Sequence, residues 1–477
     1  MRIIGNRGNT ARKVQAVASG ALASGDTVIV NANGTVSVVA ETSFSESTGS
    51  PTVFESAPTS HISAVFDSSS NRIVVSYSDD GTDEGTSVVG TVSGTSISFG
   101  TPVVFEAAFV EYVASAFDTA SGKVVIAYRD KGNSNAGTAI VGTINASNNS
   151  ISFGSATVYD SNAVSDQTVT FDSSENRVVI AYNVGTGKAI VGTVSGTSIS
   201  FGTGVQFNAS AASNSSATYD SSSSKVVIAY KDNSNNYGTA IVGTVSGTGI
   251  SFGTKVAFES AHSRYMSAVY DSSNNKVVIG YSDLGNSTYA TAIVGTVSGT
   301  AISFGTPVVF ESAAVYSLSA AYDTAAKKVT IAYSDDGNGQ YGTLISGAVS
   351  GTTISFGSPS VFQSTTSNYI SATFDSNADK VVIAYQKSNT GTSLVHQNAY
   401  SVTNLTAENY IGIASNGYAT GQAATINVKG FIDDNQSSLT AGQSYYVQTN
   451  GDLGLTAADP SVFAGTAVSA TKLIVKG

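Results

Sequence analysis

A unit of 48 to 54 residues is repeated seven times within this 477-residue chain, and this internal repetition constrains the fold more than any other feature. Each repeat carries an Asp directly after an aromatic residue, a basic residue five positions later and a Tyr ten positions later. The seven Asp residues are Asp67, Asp118, Asp172, Asp220, Asp271, Asp323 and Asp375. Such regular spacing indicates that every repeat forms the same supersecondary unit.

Each repeat is expected to form four short strands. Two strands enclose a polar turn such as DSSNNK, and two more, TAIVGTVSG and SISFGTPVVFES, meet at a Ser-Gly turn. Four strands in a repeat of this length are typical of a β-propeller blade. A β-solenoid is the alternative, but its coils are usually shorter. We therefore predict an all-β fold with a seven-bladed β-propeller over residues 45–403.

The two ends of the repeat region predict that the ring is closed. The ISFG segment of the fourth strand follows every blade except the last. A matching segment, SFSESTGSPTVFES, occupies residues 43–56 at the other end. The first strand of the region should therefore complete the last blade, which leaves no free sheet edge.

The residues outside the propeller contain a second repeat. Residues 22–34 and 439–451 each have an L-x-x-G segment, a strand pattern and a Gly nine positions after the first Gly. We predict that the propeller is inserted into a small discontinuous β domain made from both termini. Its parts are a basic arm with the first half of a split β unit (1–44), the second half of that unit (404–435) and a second small β unit (436–477).

The composition limits the chemistry available to the chain. There is no Cys and no Trp, only three His, and 12% of the residues are charged. No catalytic triad, phosphate loop or calcium-loop pattern is present, so we predict a non-enzymatic protein without cofactor or metal. The net charge of −11 argues against nucleic acid as a partner. No apolar run approaches the roughly 18 residues of a membrane span, so no membrane insertion is expected.

Differences between the repeats fall mainly in the loop between the second and third strands, on one face of the predicted propeller. Variable loops on a fixed scaffold are where binding residues usually lie, and Tyr suits sugars or protein surfaces. An alternative is that these Tyr residues fill gaps between blades. The candidate binding residues are Tyr112, Tyr237, Tyr265, Tyr289, Tyr341 and Tyr369, and His61 occupies the place equivalent to Tyr112, Tyr265 and Tyr369.

The first thirteen residues are basic, although the whole protein is acidic. Four positive charges precede the first acidic residue, Asp26. A basic arm on an acidic body can dock onto an acidic neighbour in an assembly, and a tail without a docking role is the alternative. The candidate docking residues are Arg2, Arg7, Arg12 and Lys13.

The terminal β units, with the pattern LTAGQSYYVQTNGDL…PSVFAGTAVSATKLIVKG, resemble small β modules of bacteriophage virion proteins, especially tail fibres and head or tail appendages. The resemblance rests on residues 439–442, 445–447, 451, 465–467 and 473–475. The propeller repeats are similar, more weakly, to Ser/Gly/Thr-rich repeats of marine phage structural proteins. The resemblance implies a protein of the virion that is assembled in the host cytoplasm through its terminal domain.

Two functional hypotheses follow. The first is a non-enzymatic virion structural protein, of the tail-fibre or decoration type, that is anchored to capsid or tail proteins through its termini and forms a homo-oligomer. Its propeller would face outward for contact with a host-surface glycan or protein, or for particle decoration. The alternative is a bacterial surface or secreted glycan-binding propeller, that is, a lectin or adhesin.

Overall fold

Seven antiparallel sheets follow one another from Ser45 to Asn398 in the computed structural model, which describes residues 2–4 and 12–476. A second unit combines Met1–Phe44 with Ala399–Gly477. In the described ranges the helical segments are two short 3-10 turns, Lys131–Asn133 and Asp336–Asn338. The predicted fold class is therefore confirmed: an all-β seven-bladed propeller is inserted into a small β domain made from both termini.

Each blade has three full strands and an outer strand in two pieces, and in several blades the outer piece runs on into the first strand of the next blade. Blades one and two use Thr52–Asp67, Arg72–Asp79, Glu84–Ser93, Ser96–Phe99 and Val103–Glu106, then Val110–Asp118, Lys123–Asp130, Ala136–Asn145, Ser150–Phe153 and Thr157–Ala163. Blades three and four use Ser165–Asp172, Arg177–Asn183, Gly187–Ser195, Ser198–Phe201 and Val205–Asn208, then Ala212–Asp220, Lys225–Asp232, Tyr237–Ser246 and Gly249–Phe252. Blades five to seven use Val256–Asp271, Lys276–Asp283, Tyr289–Ser298, Ala301–Phe304, Val308–Asp323, Lys328–Asp335, Tyr341–Ser350, Thr353–Phe356, Ser360–Asp375, Lys380–Lys387 and Thr390–Gln397.

The second strand of each blade forms the centre of the core. In Lys123–Asp130, for example, the residues from Val124 to Tyr128 are all buried, because both faces of the strand pack against neighbouring blades. This explains why the repeat shows a continuous VVIAY run instead of the apolar–polar alternation of a half-exposed strand.

The outer strand differs from the sequence prediction, because it is broken where a single strand was expected. In blade one, Ser96–Phe99 pairs with one half of the third strand and Val103–Glu106 pairs with the other half. At the break, Gly100 donates its N–H to the carbonyl of Val89, and a Cβ on Gly100 would collide with the carbonyl of Asn149 in the next blade. The Gly of the ISFG segment thus marks a close approach to the next blade in blades one to five, whereas a Cβ on Gly357 in blade six would lie 3.7 Å from the carbonyl oxygen of Ser346 in the same blade.

The ring closes as the sequence predicts. Ser47–Thr48 and the start of Thr52–Asp67 pair antiparallel with Thr390–Gln397, so the N-terminal end of the region supplies the outer strand of blade seven. The propeller unit ends at Asn398, before the predicted end at residue 403. The reason is that Tyr400–Thr403 pairs with Glu41–Phe44 in the other unit.

The Tyr and Asp of each repeat have distinct structural roles. Tyr333 is fully buried, and its hydroxyl donates to Glu311 on the outer strand of the preceding blade at 3.2 Å. Blades one, two, three, five and seven have an equivalent bond, at 3.0–3.3 Å.

The repeated Asp organises the turn between strands one and two: Asp271 accepts the backbone N–H groups of Ser273 and Asn274.

In its described part, the second unit contains two larger sheets besides the two-stranded pairing of Glu41–Phe44 with Tyr400–Thr403. The six-stranded sheet has the order Arg2–Ile4, Lys13–Val17, Ala423–Asn427, Tyr410–Ala414, Thr27–Val30 and Val36–Val38. The five-stranded sheet has the order Ile432–Asp433, Lys472–Val475, Val462–Ser469, Ser444–Val447 and Leu453–Gly454. Ile29 and Ile413 of the first sheet pack against Val447 and Leu473 of the second in one apolar core.

Hydroxyl groups link the first strands of successive blades around the propeller axis. The Oγ of Ser216 accepts the backbone N–H of Ala268 in the next blade at 2.9 Å. Five further blade pairs have the same bond, accepted by Ser63, Thr168, Ser267, Ser319 and Ser371. Ala114 occupies this position in blade two, so the bond to blade three is not formed.

The hydrogen bonds that these hydroxyl groups accept between blades should contribute measurably to stability. We expect Ser216→Ala to lower the free energy of unfolding by about 1–2 kcal/mol, because it leaves a buried N–H without an acceptor. Ala114→Ser should have the opposite effect, a gain of roughly 0.5–1 kcal/mol, since it supplies the missing acceptor. Urea unfolding of both variants tests this, and a loss of stability in Ala114→Ser would contradict it.

His396 replaces an apolar contact in the closing blade. In blade one Gly90 pairs with Phe99, whose ring fills the space beside the glycine. In blade seven the corresponding pair is His396 and Thr48. The imidazole is fully buried, and its Nδ1 lies 2.9 Å from the Thr48 hydroxyl. A buried imidazole and a Thr thus stand at the two positions that hold Gly and Phe in blade one.

Replacing His396 and Thr48 by the Gly and Phe of blade one tests whether the two side chains of the pair fit one another. His396→Gly alone should cost about 2–4 kcal/mol through the cavity that it leaves, and Thr48→Phe alone about 1–3 kcal/mol through overpacking. The double variant rebuilds the pair of blade one, so we expect it to recover most of the loss. Simple additivity of the two costs would contradict this account.

The contribution of His396 to the free energy of unfolding should depend on pH. Burial lowers the pKa of His396, although Glu46 and other neighbours act in the opposite direction. Because the unfolded chain then binds more protons, stability falls as the pH is lowered through the ordinary His value of about 6.5. Between pH 7 and pH 5 the wild type should therefore lose more stability than the double variant, which lacks the imidazole.

Candidate functional site

A β-bulge near the start of the first strand recurs in all seven blades, and it forces one residue of each blade into the left-handed region. The φ angles of these residues lie between 46° and 53°. Each of them is six positions before the turn Asp, on the face that carries the loops between strands two and three. We call this set the mouth ring: His61, Tyr112, Asp166, Asn214, Tyr265, Ser317 and Tyr369.

The mouth ring carries backbone strain. Apart from Gly, the residues Asn, Asp and His adopt positive φ most readily, yet four of the seven members are Tyr or Ser. Strained backbone of this kind persists where the surrounding structure holds it, and it clusters at ligand sites. The strain therefore points to these seven positions as a candidate site.

Aromatic side chains of blades seven, one and two form one part of the mouth ring. The imidazole centroid of His61 lies 5.4 Å from the ring of Tyr112 and 5.2 Å from the ring of Tyr369. The guanidinium of Arg129 lies 5.9 Å from the ring of Tyr112 and forms a 3.2 Å ion pair with Glu111. These contacts hold the aromatic groups in one continuous row.

Hydrogen bonds between blades fix the remaining members. Asp166 accepts the backbone N–H of Asn214 at 2.8 Å, and the amide oxygen of Asn214 accepts that of Tyr265 at 2.8 Å. Ser317 accepts the N–H of Ile370 in the next blade at 2.6 Å. The polar side chains of the ring are thus used to join neighbouring blades.

An open cleft of about 640 Å³ lies on this face and extends across blades five, six, seven and one. Three of its residues belong to the mouth ring: Tyr265, Ser317 and Tyr369. The others are Asp80, Tyr316, Gln340, Asn368 and Gln386. The ring planes of Tyr265 and Tyr316 are at 89° to one another, with centroids 6.0 Å apart, so they form two walls of a corner.

The pKa shifts of His61, Tyr112 and Tyr369 favour the neutral forms of these three side chains. Burial lowers the pKa of His61, against the opposing effect of Glu111 and Asp80. Burial together with Asp80 and Glu111 raises the pKa of Tyr369, and burial raises that of Tyr112. A neutral imidazole and protonated phenols offer both hydrogen-bond donors and apolar faces to a ligand.

The six Tyr residues selected from the sequence fall into two groups. Tyr112, Tyr265 and Tyr369 belong to the mouth ring. Tyr237, Tyr289 and Tyr341 are half-buried at the first position of the third strand, between the second strand and the outer strand. The structure therefore does not bring all six together, and a binding role for them stays a prediction.

The basic arm is described only in part. Arg2 lies in the strand Arg2–Ile4, and Arg7 lies outside the described residues. The carbonyl of Arg12 accepts the N–H of Val428, and the ammonium of Lys13 lies 4.6 Å from the ring of Phe431. Docking through these four residues stays a prediction.

Several cleft residues were not selected from the sequence, notably Asp80, Tyr316, Asn368 and Gln386. One signal was available for Asp166, Asn214 and Ser317 of the mouth ring, because counting six residues back from each turn Asp finds every member. The cleft residues outside the ring depend on how loops of different blades meet, and no spacing within one repeat predicts that.

The part of the chain that the structure describes offers neither a metal-ion site nor a membrane-spanning helix. There, no group of three or more Asp, Glu or His side chains is arranged to hold a metal ion. Over the same residues, no helix has the length and apolar character needed to cross a membrane.

Comparison with known proteins bears on the fold. No family model matches the sequence, and no curated protein matches it. Among solved structures, the crystal structure of the BP39L lectin from Burkholderia pseudomallei matches with a TM-score of 0.50 and 12% sequence identity. The match covers 78% of this chain and 99% of the lectin chain. At this identity the similarity concerns the fold alone.

The strain in the mouth ring is testable at Tyr369. Asn tolerates positive φ, so we expect Tyr369→Asn to change the free energy of unfolding by less than about 1 kcal/mol. Tyr369→Val also removes the ring but places a β-branched residue in the left-handed region, and it should cost roughly 1–2 kcal/mol more. Equal unfolding free energies for the two variants would contradict the assignment of strain.

Proposed function

We propose that the protein is a non-enzymatic glycan-binding protein whose propeller binds a sugar at the mouth ring and the adjoining cleft. The observation that carries this proposal is the set of seven bulged residues in the left-handed region, three of them Tyr, at one end of the propeller. A bulge repeated in every blade with different side chains provides one backbone scaffold for a varied surface.

The chemistry of the face supports a sugar ligand. Sugars present apolar C–H faces, which stack on aromatic rings, and hydroxyl groups, which need directional hydrogen bonds. The row of Tyr369, His61 and Tyr112 supplies the rings, and the amide of Asn368 supplies a donor and an acceptor. The fold similarity to a lectin favours the same function.

A glycan array probed with the purified full-length protein tests the proposal. The best ligand should then be titrated calorimetrically against Tyr265→Ala and Tyr369→Asn. We expect each variant to lose at least about ten-fold in affinity, the equivalent of one lost aromatic stacking contact.

Tyr237→Ala is the matched control, because Tyr237 lies on the third strand outside the mouth ring. It should bind within about two-fold of the wild type. Absence of any binding glycan would contradict the proposal. Loss of binding in Tyr237→Ala with retention in Tyr369→Asn would instead place the site on the third strands.

A second proposal concerns where the protein acts. The resemblance of residues 439–475 to phage virion modules favours a tail-fibre or decoration protein that assembles through its termini as a homo-oligomer and displays the propeller for host contact or particle decoration. Immunogold electron microscopy of a lysate, with antibody against the propeller, tests this. Label on particles would support virion location, whereas label on cell envelopes beside bare particles would overturn it and favour a bacterial surface lectin.

A further inference from the structure

The cleft beside the mouth ring has an unusual distribution of charge. Its lining contains one carboxylate, Asp80, and no basic side chain. Two basic residues, Arg264 and Lys387, are adjacent in sequence to lining residues but do not line the cleft themselves, and Arg264 donates to His262 at 3.3 Å. A second carboxylate, Asp336, lies at 3.5 Å from the hydroxyl of Tyr316. The cleft is therefore bordered by negative charge.

Three Tyr rings accompany these carboxylates. Tyr265 and Tyr316 form the perpendicular corner, and Tyr369 is 39% exposed on the same cleft. The negative face of an aromatic ring attracts a cation, and two rings at a right angle can contact one cation from two sides. Neutral sugars also stack on Tyr, so the rings by themselves do not distinguish the two kinds of ligand.

Asp80 distinguishes a cationic ligand from a neutral sugar. Its Oδ1 accepts the hydroxyl of Ser60 at 2.7 Å, which fixes the carboxylate at the edge of the cleft. Its Oδ2 receives no hydrogen bond from the described part of the chain. A half-buried carboxylate oxygen beside electron-rich rings is best satisfied by a ligand N–H that carries positive charge.

We infer that the cleft recognises a protonated amino group, so that the preferred ligand is a cationic amino sugar. This inference rests on the proposed glycan-binding function and narrows it to one chemical class. Because the cleft takes residues from four different blades, it occurs once per chain, and one amino group should bind per protein molecule.

Three tetrasaccharides that differ only at C2 provide the test: the β-1,4 tetramers of glucosamine, of N-acetylglucosamine and of glucose. Each is titrated calorimetrically into the full-length protein, at a pH at which the free amines are protonated. We expect the glucosamine tetramer to bind at least about ten-fold more tightly than the other two, with an affinity that falls as salt is added.

Variants separate specific recognition from general attraction of a polycation to an acidic protein. Asp80→Asn and Tyr265→Ala should each abolish the preference for the amine. Asp83→Asn is the matched control: it removes the same charge from an exposed loop position three residues away, and Asn tolerates its positive φ. It should leave the preference unchanged.

The outcomes distinguish this inference from the proposed function. Equal binding of the three tetramers, or absence of binding by the glucosamine tetramer, overturns the inference. The proposed function survives either result if the glycan array identifies a neutral ligand that is sensitive to Tyr369→Asn. An equal effect of Asp80→Asn and Asp83→Asn also overturns the inference, since the attraction would then be non-specific.

Discussion

Antiparallel pairing of the N-terminal end of the propeller with its last blade is the interaction on which the rest of the structure depends. Ser47–Thr48 and the residues from Thr52 onward complete the sheet of Thr390–Gln397. Without this pairing, blades one and seven would each expose an apolar face and an unpaired strand edge. The pairing also sets Ser45 beside Gln397, so that the chain enters and leaves the propeller at one place. A closed propeller can therefore be inserted into another domain.

Within the closed ring, backbone geometry and side-chain chemistry follow different rules. The backbone is nearly sevenfold: bulges, turn Asp residues and buried Tyr residues recur in every blade. The side chains on the loop face do not follow this sevenfold repetition, because the mouth ring contains Tyr, His, Asp, Asn and Ser. A scaffold whose stability comes from repeated inner contacts permits this variation, since a change at the mouth alters few of those contacts.

Most of the fold could be predicted from the sequence, because spacing within one repeat determines contacts within one blade. The Asp–aromatic anchor, the VVIAY strand and the missing last ISFG segment define the strands, the number of blades and the closure. The break in the outer strand was missed, because Gly100 approaches Asn149 of another blade and spacing within one repeat does not report such contacts.

The candidate site was predicted less completely than the fold, for the same reason. Tyr112, Tyr265 and Tyr369 lie in the mouth ring, on the face that the sequence singled out, because variable loops and aromatic residues can be read within one repeat. Asp80 of blade one and Tyr316 of blade six line the same cleft, which no pattern within one repeat describes. Sequence reasoning on a repeat protein is therefore strongest inside the unit and weakest at the axis where the units converge.

The position of the cleft has a consequence for the strength of attachment. If the cleft binds a sugar as we propose, each chain has one such site, because a site built from four different blades is not duplicated around the ring. Firm attachment to a glycan-covered surface then requires several chains to be held close together, where each bound chain raises the effective concentration of the next. On this scaffold, avidity is a property of how the chains are displayed, and it can be changed without altering a single residue of the propeller.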